Sequence, residues 1–357
     1  MRLEDLGFNE FFASSRNKQG LDGFLIARVI AEHRGAYKVK NAGGEYLAKI
    51  TGKQMFNATS REDYPAVGDW VAITELDKGQ AVIRGVLPRR TIIKRKYSNK
   101  NEIQIIATNI DVAFVVESAD RDYNLNRFER YFALASGGGV KPAIVLNKID
   151  LVSKEELGLK LIELKNRFSD ADIILASAKN SEGLNELRAH ISGGKTYCFL
   201  GSSGVGKSSL INKLLGENII KTESVSLGTD RGKHTTTNRE MYFLPGGGIV
   251  IDNPGMREVG VADAGEGVDD VFDEISVFAK NCKFKDCTHT HEPGCEVRLA
   301  VKSGRLDGGQ YSNFIGLKKE AGHYGLSELE KREKGRKFGK FIKKAKKELK
   351  EYGHKGY

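Results

Sequence analysis

The chain has 357 residues, 39% of them hydrophobic, with 57 Lys and Arg against 47 Asp and Glu and only four cysteines. That length predicts two or three domains, and the apolar share excludes a largely disordered chain. The formal charge of +10 favours an anionic partner, nucleic acid first, and so few cysteines exclude a disulfide scaffold and suit a reducing compartment. The opening Met1-Arg-Leu-Glu-Asp-Leu6 lacks a signal-peptide apolar region, and no apolar run approaches membrane-spanning length. A cytoplasmic protein without membrane contact is expected.

Residues 1–20 read as a short helix and an arm. From Gly23 to Pro88 short strands alternate with turn signals. They are Phe24–Ile30, Tyr37–Val39, Tyr46–Ile50, Asp69–Ile73 and Gln80–Val86. Five short strands suit a small closed barrel of the oligonucleotide-binding (OB) type, or another small barrel with no nucleic-acid role. Arg89, Arg90, Lys94, Arg95 and Lys96 follow, either as a solvated linker or as the rim of an RNA surface.

From Ile103 strands and helices alternate. Val112–Val116 reads as a parallel strand covered on both faces. Arg127–Ala135 is a helix, Ala143–Leu146 a strand, Lys154–Phe168 a helix, Ile173–Ala176 a strand and Glu182–Ile191 a helix. Strands Thr196–Leu200, Glu240–Leu244 and Ile249–Ile251 complete a doubly wound sheet over about 100–262. Domains are expected at 1–98, 99–262 and 263–357.

Gly201-Ser-Ser-Gly-Val-Gly-Lys-Ser-Ser209 fits G-x-x-x-x-G-K-[ST] between a strand and a helix. The backbone N–H groups of Gly201, Ser202, Ser203, Gly204, Val205 and Gly206 would turn around phosphates, at the positive end of the following helix. Lys207 would reach the β/γ-phosphates, and Ser208, followed by Ser209, would hold Mg²⁺. Asn147-Lys-Ile-Asp150 ends a strand and fits N-K-x-D. The Asp150 carboxylate would accept from guanine N1–H and the 2-amino group, Lys148 would lie along the ring, and Ile149 completes the tetrapeptide. Asn147 would tie this loop to the phosphate loop. Ser177-Ala178-Lys179 fits the accompanying base-edge loop. Asp252-Asn-Pro-Gly255 fits D-x-x-G, with Asp252 approaching Mg²⁺ through water and the Gly255 N–H sensing the γ-phosphate. Thr235, Thr236 and Thr237 occupy the place of a switch threonine that ligates Mg²⁺ in the triphosphate state. Thr236 is the assigned ligand, with Thr235 beside it.

In an ordinary GTPase the phosphate loop precedes N-K-x-D. Here N-K-x-D and Ser177–Lys179 come first, so the strands are rejoined in circularly permuted order, as surface termini allow. Met256 stands where many GTPases keep a water-orienting Gln. His234, beside the switch threonines, is the candidate catalytic group near neutral pH.

Cys282, Cys287 and Cys295, with His289 or His291, would form a tetrahedral thiolate–imidazole set suited to one structural zinc, the alternatives being free buried thiols or a redox disulfide. The tail from Lys331 is strongly basic. Phe338, Phe341, Ile342, Ala345 and Leu349 fall near helical spacing, as a solvated, RNA-binding or membrane-surface helix would place them.

The permuted order, the barrel before it and the cysteine–histidine cluster after it resemble the small-subunit-dependent GTPases of the RsgA (YjeQ) family. Gly232-Lys-His-Thr-Thr-Thr237, Gly201–Ser209, Asp286-Cys-Thr-His289 and Glu292-Pro-Gly-Cys295 carry the resemblance, with Ala66-Val-Gly-Asp-Trp70 and Leu87-Pro-Arg-Arg90. Asn253 departs from the family's usual Thr, with little effect expected. The resemblance implies an OB barrel, a permuted GTPase domain and a mainly helical zinc domain with His289 as ligand. It implies a monomer that binds GTP and GDP and acts on the small ribosomal subunit and its 16S rRNA late in maturation. Slow hydrolysis stimulated by the subunit is implied as well. The rival expectations are an RNA-binding protein that uses the nucleotide without catalysis and an ATP-dependent kinase, which Asp150 opposes.

Overall fold

The computed structural model describes residues 1–33, 35–96, 103–120, 122–220, 239–253 and 265–324. An N-terminal helix, α1 (Glu10–Lys18), is capped by the Asn9 side chain, which accepts from the Phe11 N–H. It leads into strands β1 (Leu25–His33), β2 (Ala36–Asn41), β3 (Gly44–Ile50), β4 (Trp70–Leu76) and β5 (Gln80–Val86), with the short α2 (Gly52–Asn57) between β3 and β4. β1 pairs with β2 and β4, β2 with β3, and β5 with both β3 and β4. The five strands therefore close into a barrel of the expected OB type. Val29, Val39, Ala48, Val71 and Ile83 fill it. Phe12 of α1 packs on Trp70, ring centroids 5.8 Å apart, in a second cluster with Ile26 and Ala72 on the outer face of β1 and β4.

Arg28 explains how the barrel meets the rest. Its buried guanidinium donates to the carbonyls of Leu6 (2.5 Å), Gly68 (3.2 Å) and Asn109 (3.1 Å), one each from arm, barrel and downstream chain. Burial pushes its pKa down to about 10. Much of the basic run after the barrel is spent internally. Arg89 donates to both oxygens of buried Asp69 and to the carbonyls of Glu62 and Tyr64. Arg90 pairs with Asp111 at 2.6 Å and Lys94 with Glu62 at 2.8 Å. These three are therefore not unpaired linker charges.

β6 (Ile92–Lys96) and β7 (Ile103–Thr108) make a separate antiparallel ribbon. The doubly wound sheet thus begins later than the pattern from Ile103 suggested. Its elements are β8 (Val112–Ser118), α3 (Leu125–Gly137), β9 (Lys141–Asn147), α4 (Lys154–Arg167), β10 (Ile173–Leu175), α5 (Leu184–Ala189), β11 (Thr196–Leu200), α6 (Lys207–Leu215), β12 (Glu240–Phe243) and β13 (Ile249–Asp252). The order is β10-β9-β8-β11-β13-β12, parallel except for β12. Ala31 of β1 pairs with Glu240 of β12, joining barrel to sheet. The central strands are nearly all apolar because α3 and α4 cover one face and α5 and α6 the other. The parallel strands discharge their loops at one edge, where such sheets bind ligands.

The C-terminal region is helical: α7 (Gly265–Val271), α8 (Asp273–Ala279), α9 (Glu296–Lys302) and α10 (Gly308–Tyr324). Its core of Phe272, Ile275, Val297, Phe314 and Leu317 includes Ala133 of α3. Arg167 of α4 pairs with buried Glu129 at 2.6 Å and with Asp307 at 2.8 Å, and Arg130 pairs with Glu320 at 2.8 Å. A buried carboxylate left alone would be costly, so Arg167 holds α3, α4 and the start of α10 together.

Candidate nucleotide site and metal centre

β11 enters the loop Gly201–Gly206, and α6 leaves it at Lys207. Two glycines are dictated by contact as well as by backbone. A Cβ on Gly201 (φ +145°) would stand 2.1 Å from the Val116 carbonyl oxygen, and one on Gly206 (φ +96°) 2.3 Å from Asn147 Nδ2. Ser203 and Gly204 lie exposed at the tip, and Val205 is buried beneath. The Lys207 ammonium is buried and donates to the carbonyls of Gly201 and Ser202, both at 2.7 Å. Burial pushes its pKa down to about 8 against the pull of Asp252 and Glu117.

Ser208, with Ser209 next to it on α6, donates to Asp252 Oδ2 at 3.2 Å. Asp252 Oδ1 is buried without a hydrogen-bond partner, and burial raises the pKa of that carboxyl. A hydroxyl and an under-satisfied carboxylate beside the phosphate loop are a hard oxygen set that fits Mg²⁺. Asn253 turns back to β11, donating from Nδ2 to Cys198 Sγ at 2.9 Å.

The residues expected to read guanine gather at the ends of β9 and β10. Asn147 Nδ2 donates to the Val205 carbonyl at 2.7 Å, and its Oδ1 accepts from the Ala178 N–H at 3.3 Å. One buried amide thus joins three loops. Asp150 Oδ1 accepts from Ser177 Oγ at 2.5 Å, and Lys179 Nζ lies 4.0 Å from its Oδ2. Lys148 stands at φ +60° with Nζ 3.7 Å from Asp120, and Ile149 is buried below. His234, Thr235, Thr236, Thr237, Gly255 and Met256 lie outside the described residues, as does the tail from Lys331.

Cys282, Cys287, His289 and Cys295 present ligand atoms that all lie within 4.8 Å of one another. His289 Nδ1 is 3.6 Å from Cys282 Sγ and 3.5 Å from Cys295 Sγ, and these two sulfurs are 3.9 Å apart. Tetrahedral Zn–S and Zn–N bonds would give edges of about 3.8 Å between sulfurs and about 3.5 Å from sulfur to nitrogen. The set can hold a metal ion, and its geometry fits zinc. His291 is not in the cluster; its Nδ1 faces Thr290 Oγ1 at 2.8 Å.

The family model described as RsgA GTPase matches residues 86–262. A small ribosomal subunit biogenesis GTPase RsgA 2 from Lactiplantibacillus plantarum is 41% identical over 306 residues, 86% of each chain. The chain belongs to the RsgA GTPase family. An RsgA from Opitutus terrae is 40% identical over 331 residues, 90% of each chain. The crystal structure of YjeQ from Thermotoga maritima is similar at TM-score 0.62 and 27% identity, over 85% of this chain and 99% of that one. That of YloQ, titled a circularly permuted GTPase, matches at TM-score 0.59 and 21% identity over 85% and 97%, a likeness of fold. As an RsgA-family GTPase the chain is a GTP hydrolase, with the permuted order read from its motifs.

Motif reading passed over Glu117, Arg127 and Tyr131 in this RsgA-family site. Glu117, next to last in β8, is fully buried, with Arg127 Nη1 3.8 Å from its Oε2. The available signal was one acid closing the apolar run Val112–Val116.

Proposed function

We propose that this chain hydrolyses GTP to GDP and phosphate on the small ribosomal subunit, and that turnover assists late maturation of that subunit. The observation that carries the reading is the Asn147 amide, bonded to both Val205 and Ala178, which unites the base-reading and phosphate loops. The relatives' name, small ribosomal subunit biogenesis GTPase, supplies the partner.

In this reading the amides of residues 201–206 and Lys207 bind the phosphates. Asp150 reads guanine, with Ser177, Ala178 and Lys179 holding its loop and Lys148 and Ile149 flanking the base. Ser208 and Thr236 would hold Mg²⁺, which when bound supplies neutralisation of the phosphate charge. Asp252 orients that shell, Thr235 and Gly255 sense the γ-phosphate, and His234 orients the attacking water. Cys282, Cys287, His289 and Cys295 hold zinc as a structural ion. The barrel, the zinc region and the basic tail contact 16S rRNA.

We also infer a cytoplasmic monomer of three units, 1–98, 99–262 and 263–357, the first boundary falling between β6 and β7. Among the described residues no helix is long and apolar enough to cross a membrane. Turnover of GTP by the purified chain, with and without small subunits, tests the proposal. Stimulation by small subunits and not by large ones is expected, and equal turnover under all conditions would overturn it.

A further inference from the structure

Glu117 is the anomaly beside the phosphate loop. It is 0% exposed, and neither carboxylate oxygen completes a hydrogen bond. Its place is set by β8: the preceding residue, Val116, is the one Gly201 abuts as the loop leaves β11. Strand alternation puts Glu117 with Val115 on the α3 face. Around it stand Arg127 and Tyr131 from α3, Asp122 from the β8–α3 connection, Lys207 from α6 and the Ser202 amide from the loop. Leu146 is its neighbour on β9. Tyr131 in turn lies beside the Ser202 side chain.

Among the described residues Arg127 is the one cation within ion-pair distance of Glu117; it is 3.8 Å away and 42% exposed, and it also donates to the Asp122 carbonyl. A buried carboxylate so poorly satisfied is better accommodated as the neutral acid. Consistently, burial pushes its pKa up to about 7 against the pull of Arg127, Lys207 and the Ser202 amide. Phosphates bound in the adjoining loop would add negative charge at low dielectric and draw Lys207 toward themselves, away from its role as counter-ion.

We propose that Glu117 is a positioning residue of the nucleotide site: when GTP binds it takes one proton from solvent, and as a neutral acid it braces the phosphate loop at Ser202. The proposal rests on the nucleotide reading above. It makes no bond to substrate and acts through the loop backbone.

Calorimetric titration of the full chain with Mg²⁺ and a non-hydrolysable GTP analogue, in two buffers of different ionisation enthalpy at pH 7, counts the protons taken up. Wild type should take up about half a proton more than Glu117→Gln, since Glu117 titrates near that pH. Lys207, with its pKa about 8, is mostly charged there and adds little. Arg127→Met removes a charge that lowers the Glu117 pKa, so its uptake at pH 7 should shrink and its maximum move to higher pH. Equal uptake by wild type and Glu117→Gln overturns the proposal. Should Glu117→Gln not fold, equal uptake by wild type and Arg127→Met overturns it. Wild type that fails to bind the analogue overturns the nucleotide reading itself.

Discussion

Asn147 donates from its buried side-chain amide to the carbonyl of Val205, 58 positions away, at 2.7 Å. The bond closes the base-reading loop onto the phosphate loop, and Gly206 must lack a side chain to leave it room. Asn147→Ala should leave the Val205 carbonyl unsatisfied at a cost of about 1–3 kcal/mol. Gly206→Ala should produce the same lesion from the other side, by pushing the amide out. Both variants are expected to bind a GTP analogue roughly tenfold more weakly or worse. Titration by fluorescence would check this, and wild-type affinity in both would refute the clasp.

We propose that base choice resides in Asp150, whose Oδ1 accepts from Ser177 Oγ at 2.5 Å. Asp150→Asn replaces a double acceptor by a mismatched amide. GTP binding should weaken, and xanthosine triphosphate, whose C2 carbonyl accepts from that amide, should become preferred. Ser177→Ala removes only the positioning bond, worth about 1 kcal/mol, and should weaken GTP several-fold without reversing the preference. Unchanged ranking of the two nucleotides in Asp150→Asn would reject the assignment.

Lys207 predicts a second pH effect, above that of Glu117. Burial lowers the lysine pKa to about 8. Phosphate favours the charged form, so below pH 8 binding needs no proton at this site. Above pH 8 it must take one up, and affinity should then fall by up to tenfold per pH unit. The plot of log Kd against pH should therefore steepen above 8. Lys207→Arg stays charged across this range and should lose the steepening, whatever its absolute affinity. A wild-type slope constant from pH 6.5 to 9.5 would count against this.

What the sequence made legible follows from how local each signal is. Gly201–Ser209 and Asn147–Asp150 are contiguous, and each sits at a strand end that its own apolar run announces. The Cys282–Cys295 set is compact enough that spacing alone limits the candidate ligands; the resemblance chose His289 over His291, and the fold brings His289 to the three sulfurs. Glu117 carried almost no signal, because its meaning depends on Arg127 from a helix and Lys207 from a strand–loop unit far along the chain. Arg89 and Arg90 were undecided for the same reason. As a run they suggest a basic surface, but Asp69 and Asp111, distant in sequence, neutralise them. The ribbon of β6 and β7 read as the start of the sheet because periodicity cannot say which strand pairs with which.

The zinc reading predicts a confined collapse. Structural sites of this kind are worth on the order of 10–16 kcal/mol in model fingers at neutral pH. Cys287→Ala should melt the C-terminal helices, whose core is Phe272, Val297 and Phe314. Nucleotide binding should largely survive, since Lys207, Asp150 and Asn147 lie at the loops of the parallel sheet, outside that core. The purified wild type should contain close to one equivalent of zinc. Less than about half an equivalent, or a Cys287→Ala chain with unchanged C-terminal protection in hydrogen exchange, would reject the site.

The catalytic group is the remaining test. The residue after Asp252–Gly255 is Met256, and a thioether cannot polarise water. Another group must orient the nucleophile, and His234 adjoins the threonines of the switch segment. A neutral imidazole there would accept a hydrogen bond from the attacking water near neutral pH. Partner-supplied activation in other GTPases reaches about 10³–10⁵-fold. His234→Ala should therefore keep wild-type affinity for GTP and for small subunits while losing most of the subunit-stimulated turnover. Its residual rate should equal that of the free chain. A mutant that still responds fully to subunits would move the catalytic role from His234 to the ribosome.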